Sequence, residues 1–314
     1  MIYTVTFSPA LDYTMTFDSL IPGHVNRAQE VTITAGGKGI NVSKVLKNLG
    51  IKSRILGFTA GFTGREIEES LSKSGLSTDF IRLQKGLTRI NVKLLENETT
   101  DLNAPGPEIT EADMKKFMSK LDELKKGDIL VLSGSIPHRL PDYTYALIME
   151  KLEGRDVRII VDASGQLLLR TLPCRPFLIK PNIDELEELF SIHIETKADV
   201  IRYALTLREL GAANVLVSLG PAGAILAGSD DRIYECAAPS GIPRSTVGAG
   251  DSMIAGFLYG YRNAGAATRL SEGLRYGVCA GSASVFSGSF ATGEDVRTLA
   301  NRVSTVLSEM QQSP

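Results

Sequence analysis

Several common chemistries find little to work with in this sequence. Three cysteines, Cys174, Cys236 and Cys279, lie far apart with no CxxC pair, which argues against a disulfide framework and a zinc ribbon. Three histidines, His24, His138 and His193, form no HExxH or paired metal spacing. No GxSxG elbow occurs either, so a histidine-centred hydrolase is not expected. A formal net charge of −2 gives no electrostatic case for nucleic acid or an anionic membrane as a partner. There is no run of ~18 apolar residues to suggest a membrane span. The opening MIYTVTFSPALDYT lacks the basic and apolar regions of a signal peptide, so a cytoplasmic protein is expected. Neither GxGxxG nor GxxxxGK followed by Ser or Thr is present, which counts against dinucleotide-binding and P-loop enzymes in their usual forms.

What is present is ordinary globular material. The 314 residues are 43% hydrophobic and 22% charged, enough for one large α/β domain or a core with a smaller appendage. Short β-branched runs alternate with helical patterns over nearly the whole length: IYTVTF (2–7), SRILGF (53–58), ILVLSG (129–134), RIIVDAS (158–164) and NVLVSLG (214–220). In INVSKVLKNLG, Val42, Val45, Leu46 and Leu49 recur at helical spacing and Gly50 can end the helix. Repeated βαβ units predict an α/β fold with a doubly wound, mostly parallel sheet flanked by helices. Ligands of such folds gather beyond the carboxyl ends of the strands, where Ser133, Asp162, Ser164 and Ser218 fall. Residues 12–35 and 87–105 break the alternation and read as strands and turns without helices. In TRINVKLLE, Ile90, Val92 and Leu94 share one face while Arg89, Asn91 and Lys93 share the other. Such a two-faced segment suits a small antiparallel sheet, here a discontinuous β lid over a core made of 1–11, 36–86 and 106–314.

Five short stretches are candidates for chemistry, and each has a plainer reading beside it. In STVGAGDS, the small residues Gly248, Ala249 and Gly250 lead into Asp251 and a helix carrying Ile254, Phe257, Leu258 and Tyr261 on one face. Bare backbone at a helix start attracts an anion; alternatively, Asp251 merely complements the helix dipole. AGGKGIN brings Gly37, Lys38 and Asn41 to another helix start, either to approach a polyhydroxylated ligand or simply to turn from strand to helix. KPNIDELEELF places Asn182 and Glu185 three apart, as a capping box or as groups facing Mg²⁺-bound water. VSLGPAGA, with Ser218, Gly220 and Gly223, is a hairpin turn or a stretch of backbone beside a nucleotide. Asp12, after the first strand, is a loop carboxylate or an acceptor for sugar hydroxyls.

Taken in order, GGKGIN, KPNxxE, SLGPAG and STVGAGD closely resemble the motifs of the ribokinase-like (PfkB) sugar kinases, and the resemblance covers essentially the whole chain. Within that family, PALDYT, PGHVNRA, GGKGINVSKVL and TRINVK look most like the kinases that act on fructose 1-phosphate. The resemblance implies transfer of the ATP γ-phosphoryl group to the C6 hydroxyl, giving fructose 1,6-bisphosphate and ADP. Kinases of tagatose 6-phosphate are near neighbours, and a non-catalytic sugar-phosphate sensor on the same fold is the reading from another class. It further implies that Asp251 acts as base, with the amides of Gly248, Ala249 and Gly250 as anion hole. Asp12, Gly37 and Asn41 would hold sugar hydroxyls, Arg89, Lys38 and Arg27 the phosphate already present, and Asn91 and Ser133 complete that set. Lys180, Asn182, Ser218, Leu219, Gly220, Pro221, Ala222 and Gly223, together with Ala249 and Gly250, would border ATP. Glu185 and Asn182 would act on the Mg²⁺ shell. The implied partners are small molecules, and a homodimer through the lid would protect its strand edges.

Overall fold

Leu130 and Leu132 pack on one side of a large sheet and Ile129 and Val131 on the other, so a continuous apolar run supplies both faces of one strand. The computed structural model describes residues 1–96, 99–137 and 139–307. Strands are numbered in chain order. The inner strands are β1 (Ile2–Thr6), β4 (Ser53–Ala60), β5 (Ser77–Leu83), β8 (Ile129–Ser133), β9 (Arg158–Asp162), β10 (Leu178–Ile179) and β11 (Val215–Ser218), each parallel to its neighbour. The sheet continues antiparallel through β12 (Ala224–Ala227), β13 (Ile233–Cys236) and β14 (Thr305–Leu307). Among the described residues this makes a ten-stranded sheet in the order β14-β13-β12-β11-β10-β9-β8-β1-β4-β5.

Helices cover both faces. Val42, Val45 and Leu46 of the Lys38–Asn48 helix pack on one side with Ile254, Phe257 and Val278 of the Ala249–Asn263 and Arg269–Ser287 helices. Phe117, Tyr145, Leu186 and Leu207 bring four further helices against the other. The expected mostly parallel, doubly wound α/β core is therefore present. The antiparallel edge of β12 to β14 is an addition to it.

The second sheet has the order β3-β2-β6-β7, formed by β2 (Ala10–Thr16), β3 (Glu30–Gly36), β6 (Arg89–Leu95) and β7 (Thr99–Asn103). It is mixed rather than antiparallel, because its central pair, β2 and β6, runs parallel. A parallel pair needs a long crossover, and the core segment between Gly36 and Arg89 provides it. Its strands extend slightly beyond the segment expected from residue 12 to 35, beginning at Ala10 and reaching Gly36. Residues 97 and 98 of the other expected segment lie outside the described residues. The register aligns Asp12, Thr34, Asn91 and Asn103 in one row, and Tyr13, Ile33, Val92 and Leu102 in the next, on the opposite face. The apolar face is buried at its base, where Leu11, Ala35 and Ile90 pack with Ile67 and Leu71. Farther out it is open: Val31 is 48% exposed, Ile33 56% and Leu102 54%.

Candidate active site

Gly248 enters the Ala249–Asn263 helix with φ of +77°, in the left-handed region that favours glycine. Three residues on, Asp251 is only 6% exposed, although an acid that merely balances a helix dipole would normally face water. Its Oδ2 accepts a hydrogen bond from Asn41 Nδ2 at 2.9 Å, which ties this helix to the start of the Lys38–Asn48 helix. Burial, reinforced by the nearby charge of Asp162, pushes the Asp251 carboxyl up to about 7; the Asn41 bond, Lys38 and Lys180 oppose that rise. Of the expected anion-hole amides, Ala249 N–H donates to Thr246 O at 3.2 Å within the entry turn. A Cβ at Gly250 would sit 3.0 Å from Lys180 Nζ, so the missing side chain is what lets that ammonium lie against the helix start.

Lys180 is 7% exposed and Asp162 2%. The two ends of the Asp162 carboxylate take different cations: Oδ1 lies 3.2 Å from Lys180 Nζ and Oδ2 3.2 Å from Lys38 Nζ. Burial alone would raise the Asp162 carboxyl; the two ammoniums outweigh it and hold the group below the usual carboxylate range. Asp162 stands beside Ser133 in the register of β8 and β9, so both project from the carboxyl end of the sheet. In the sequence Asp162 was visible only as a polar residue at a strand end, because the lysines that define it are far away in the chain.

The polar row of the second sheet supplies another part of the site. Asn91 Nδ2 donates to Asp12 Oδ1 at 3.1 Å. A Cβ on Gly36 would collide with Asp12 Oδ2, and one on Gly37, whose φ is +127°, with Thr6 Cγ2. The first task of the AGGKG cluster is therefore to let the strand end pass Asp12 and β1. Arg89 is half-buried, and burial lowers its proton affinity while Asp12 partly compensates. Arg89 Nε, Asn91 Oδ1 and Ser133 Oγ are buried without a hydrogen-bond partner among the described residues. Each such group costs about 1–3 kcal/mol if left unsatisfied. They are a donor, an acceptor and a hydroxyl, each open to a polar ligand atom. Arg27, by contrast, lies exposed on the connection between β2 and β3. Lys44 was not singled out from sequence; its ammonium donates to Ala35 O at the end of β3 and stands 5.2 Å from the Phe290 ring centroid.

At the ends of β10 and β11, Ser218 N donates to Pro181 O at 3.0 Å and an isolated bridge pairs Asn182 with Ser218. The KPN and SLGPAG stretches thus lie side by side. Leu219 N–H closes the loop on Gly223 O at 2.8 Å around the short 3₁₀ turn Gly220–Ala222, which contains Pro221. Gly223 has φ of +102° and its Cβ would strike Cys236 O, so only glycine fits there. Asn182 and Glu185 form a full capping box: Glu185 N–H donates to Asn182 Oδ1 at 2.7 Å and Asn182 N–H to Glu185 Oε2 at 2.9 Å. The plainer reading of KPNIDE is therefore what its local geometry does. The Glu185 charge is nonetheless near enough to help raise the Lys38 ammonium. Among the described residues no group of three or more His, Cys, Asp or Glu could hold a metal. A single acid near the loop fits Mg²⁺, which takes few protein ligands and relies on phosphate and water.

Among the described residues, no helix is long and apolar enough to cross a membrane. The family described as pfkB family carbohydrate kinase matches residues 5–296. The chain is 42% identical over 299 residues to a 1-phosphofructokinase of Bacillus subtilis, covering 95% of this chain and 97% of that one. It is 36% identical over 288 residues to a D-tagatose-1-phosphate kinase of Bacillus licheniformis, covering 91% and 93%. The fold superposes with a TM-score of 0.87 on phosphofructokinase-2 from Escherichia coli in complex with fructose-6-phosphate, at 28% identity and covering 96% and 98% of the two chains. With this fold and these matches over nearly its full length, the chain belongs to the pfkB family of carbohydrate kinases, phosphotransferases with an alcohol acceptor.

Proposed function

We propose that the chain is an ATP-dependent kinase that phosphorylates the C6 hydroxyl of fructose 1-phosphate, giving fructose 1,6-bisphosphate and ADP. The observation that carries this reading is Asp251: a buried carboxylate with raised proton affinity, at a helix start lined by glycine and next to a buried lysine. The relative named 1-phosphofructokinase supports the choice of acceptor.

Phosphoryl transfer asks a protein for alignment and charge stabilisation more than for covalent work. Asp251 accepts the C6 hydroxyl proton as O6 forms its bond to the γ-phosphorus. The bond from that phosphorus to the bridging β–γ oxygen breaks, and ADP leaves with the electron pair. General-base assistance of this kind is typically worth about 10²–10⁴-fold. Amides at Gly248 and Gly250 and the Lys180 ammonium face the migrating group, and the Ala249 amide joins them only by giving up its bond to Thr246 O. Asp12, Gly37, Asn41, Asn91 and Ser133 hold the sugar hydroxyls. Arg89 and Lys38 hold the 1-phosphate, where cationic hydrogen bonds to phosphate are strong. Arg27 joins them only if its connection moves. The loop from Ser218 to Gly223 borders the nucleotide with Lys180 and Asn182, and Glu185 with Asn182 would orient the Mg²⁺ shell. When bound, Mg²⁺ supplies charge neutralisation on the phosphates.

The second sheet acts as a lid: its polar row turns to the sugar and excludes water, which limits wasteful ATP hydrolysis. Its open apolar face, with Val31, Ile33 and Leu102, is covered by a second copy of the chain.

A second acceptor, D-tagatose 1-phosphate, is favoured by the relative named for it. It differs from fructose 1-phosphate only at C4, so the same groups would hold its phosphate and C6 hydroxyl. The test is ADP release from the purified protein with ATP, Mg²⁺ and, side by side, fructose 1-phosphate, tagatose 1-phosphate, tagatose 6-phosphate and fructose 6-phosphate. The highest kcat/KM is expected with fructose 1-phosphate. Preference for a 6-phosphate would move the acceptor to the C1 hydroxyl and overturn the assignment, and no turnover with any of the four would favour a sensor.

A further inference from the structure

We propose that Asp162 is a positioning residue that sets the two active-site lysines, holding Lys180 on the nucleotide side with one carboxylate oxygen and Lys38 on the sugar side with the other. The inference rests on the kinase reading above for the meaning of the two sides, and on the structure alone for the clamp.

Three observations carry it. Asp162 is 2% exposed, at the end of a central strand, where a lone carboxylate could not remain ionised without partners. Its two ion pairs are equal in length, 3.2 Å from Oδ1 to Lys180 Nζ and 3.2 Å from Oδ2 to Lys38 Nζ, although Oδ2 accepts no hydrogen bond among the described residues, so Lys38 is held by charge. Neither lysine makes another ion pair among the described residues. The lysines come from different helix approaches, Lys38 from the first residue of the Lys38–Asn48 helix and Lys180 from just before the Ile183–Phe190 helix. A single acid therefore fixes the relative position of two cations that no local structure relates.

The charges account for the use of such a clamp. The groups facing Asp251 are Asp162, Lys38 and Lys180, with Asn41 as its neutral partner, and Glu185 acts on Lys38 from the adjoining helix. With Asp251 ionised, Asp162, Asp251, Lys38 and Lys180 sum to zero. Once Asp251 has taken the acceptor's proton the set, with Glu185 included, is one unit more positive as the phosphoryl oxygens reach the ammoniums. The field thus shifts toward positive at the moment of transfer with no side chain having to reorganise.

The test compares wild type with Asp162→Asn, which keeps the shape and removes the charge. The Asp251 carboxyl is followed by ¹³C NMR in protein labelled at aspartate, assigned with Asp251→Asn, and kinetics are run in parallel. In Asp162→Asn the loss of a neighbouring negative charge lowers the Asp251 midpoint, and the release of the two ammoniums opposes that fall. Turnover should drop by roughly 100-fold, on the scale of other removed electrostatic contacts, and Asp162→Glu should recover part of it. In wild type, Lys38→Met and Lys180→Met should move the midpoint upward, and they keep the inference testable if Asp162→Asn does not fold. In the Asp162→Asn background, Lys38→Met and Lys180→Met should move the midpoint less than they do in wild type, because ammoniums no longer held have already drifted from Asp251. Equal shifts in the two backgrounds overturn the clamp, as do lysine variants of wild type with unmoved midpoints. If wild type turns over none of the sugar phosphates, the kinase reading fails, but the NMR midpoints still decide the clamp.

Discussion

Asn41 Nδ2 and Asp251 Oδ2 lie 2.9 Å apart although 210 positions separate them in the chain. The residue expected to hold a sugar hydroxyl thus touches the residue expected to activate one. With sugar bound, a hydroxyl near Asn41 would be within reach of the same carboxylate.

Removing that carboxylate should cost turnover and raise stability. The folded state pushes the Asp251 carboxyl from 3.8 to about 7, so folding holds its proton more tightly than the unfolded chain does. The penalty for ionising it is absent below about pH 3.8, grows as pH rises, and is complete above about 7. Asp251→Asn escapes it. Its melting temperature should exceed that of wild type by a margin that widens from pH 5 to pH 8, with an upper bound of about 4 kcal/mol at 1.36 kcal/mol per pH unit. Its kcat should fall by at least about 10²-fold. Melting curves at several pH values check the first part; a margin that shrinks with rising pH would refute it.

The same group sets the pH dependence of the reaction. As a base, Asp251 must be ionised in the free enzyme, so kcat/KM should rise through a midpoint near 7 and level off above it. An acidic limb centred near pH 4 would mean that the essential base is not this residue.

Arg89 separates the two substrates. Its Nε is buried and has no hydrogen-bond partner among the described residues. Loss of a charged hydrogen bond is worth about 1.5–3 kcal/mol, so Arg89→Ala should raise KM for fructose 1-phosphate by roughly 10–100-fold. KM for ATP should stay nearly constant. Steady-state kinetics with each substrate varied in turn measure this, and a parallel rise in both would point to a structural role instead.

Gly250→Ala should separate folding from turnover. The added methyl would meet Lys180 Nζ at 3.0 Å, a contact the flexible lysine can relieve by moving. The melting temperature should change little while kcat falls by roughly tenfold or more, on the scale of a weakened electrostatic contact. Unchanged kcat would show that Lys180 does not need its place against the helix start.

Sedimentation checks the lid surface. Wild type should sediment as a dimer, and replacing Val31 and Ile33 together with Asp should give a folded monomer, since each would place a charge on a surface that is 48% and 56% exposed in the single chain. A monomeric wild type at micromolar concentration would remove the second copy from the proposal.

The legible parts of this fold are those governed by local pattern. ILVLSG and RIIVDAS mark strands because buried parallel strands are apolar throughout, and the polar residues that end them, Ser133 and Asp162, lie where ligands collect. Of the two readings of KPNIDE, the capping box is present. What stayed hidden depends on distant partners. Nothing near Asp162 announces that it will hold Lys38 and Lys180, and nothing near Lys44 announces Phe290. The parallel pairing of β2 with β6 was also out of reach, because period-two alternation fixes which face a residue takes but not the direction of the neighbouring strand.

That parallel pairing has a consequence for inheritance. Because β2 and β3 precede the crossover and β6 and β7 follow it, the small sheet cannot travel as one uninterrupted stretch of coding sequence. A recombination event that exchanges only one half would bring a foreign strand against β2 or β6, and the row of Asp12 and Asn91 would have to match across that seam. New acceptor preferences at this site should therefore accumulate by point substitution within both halves more readily than by wholesale grafting.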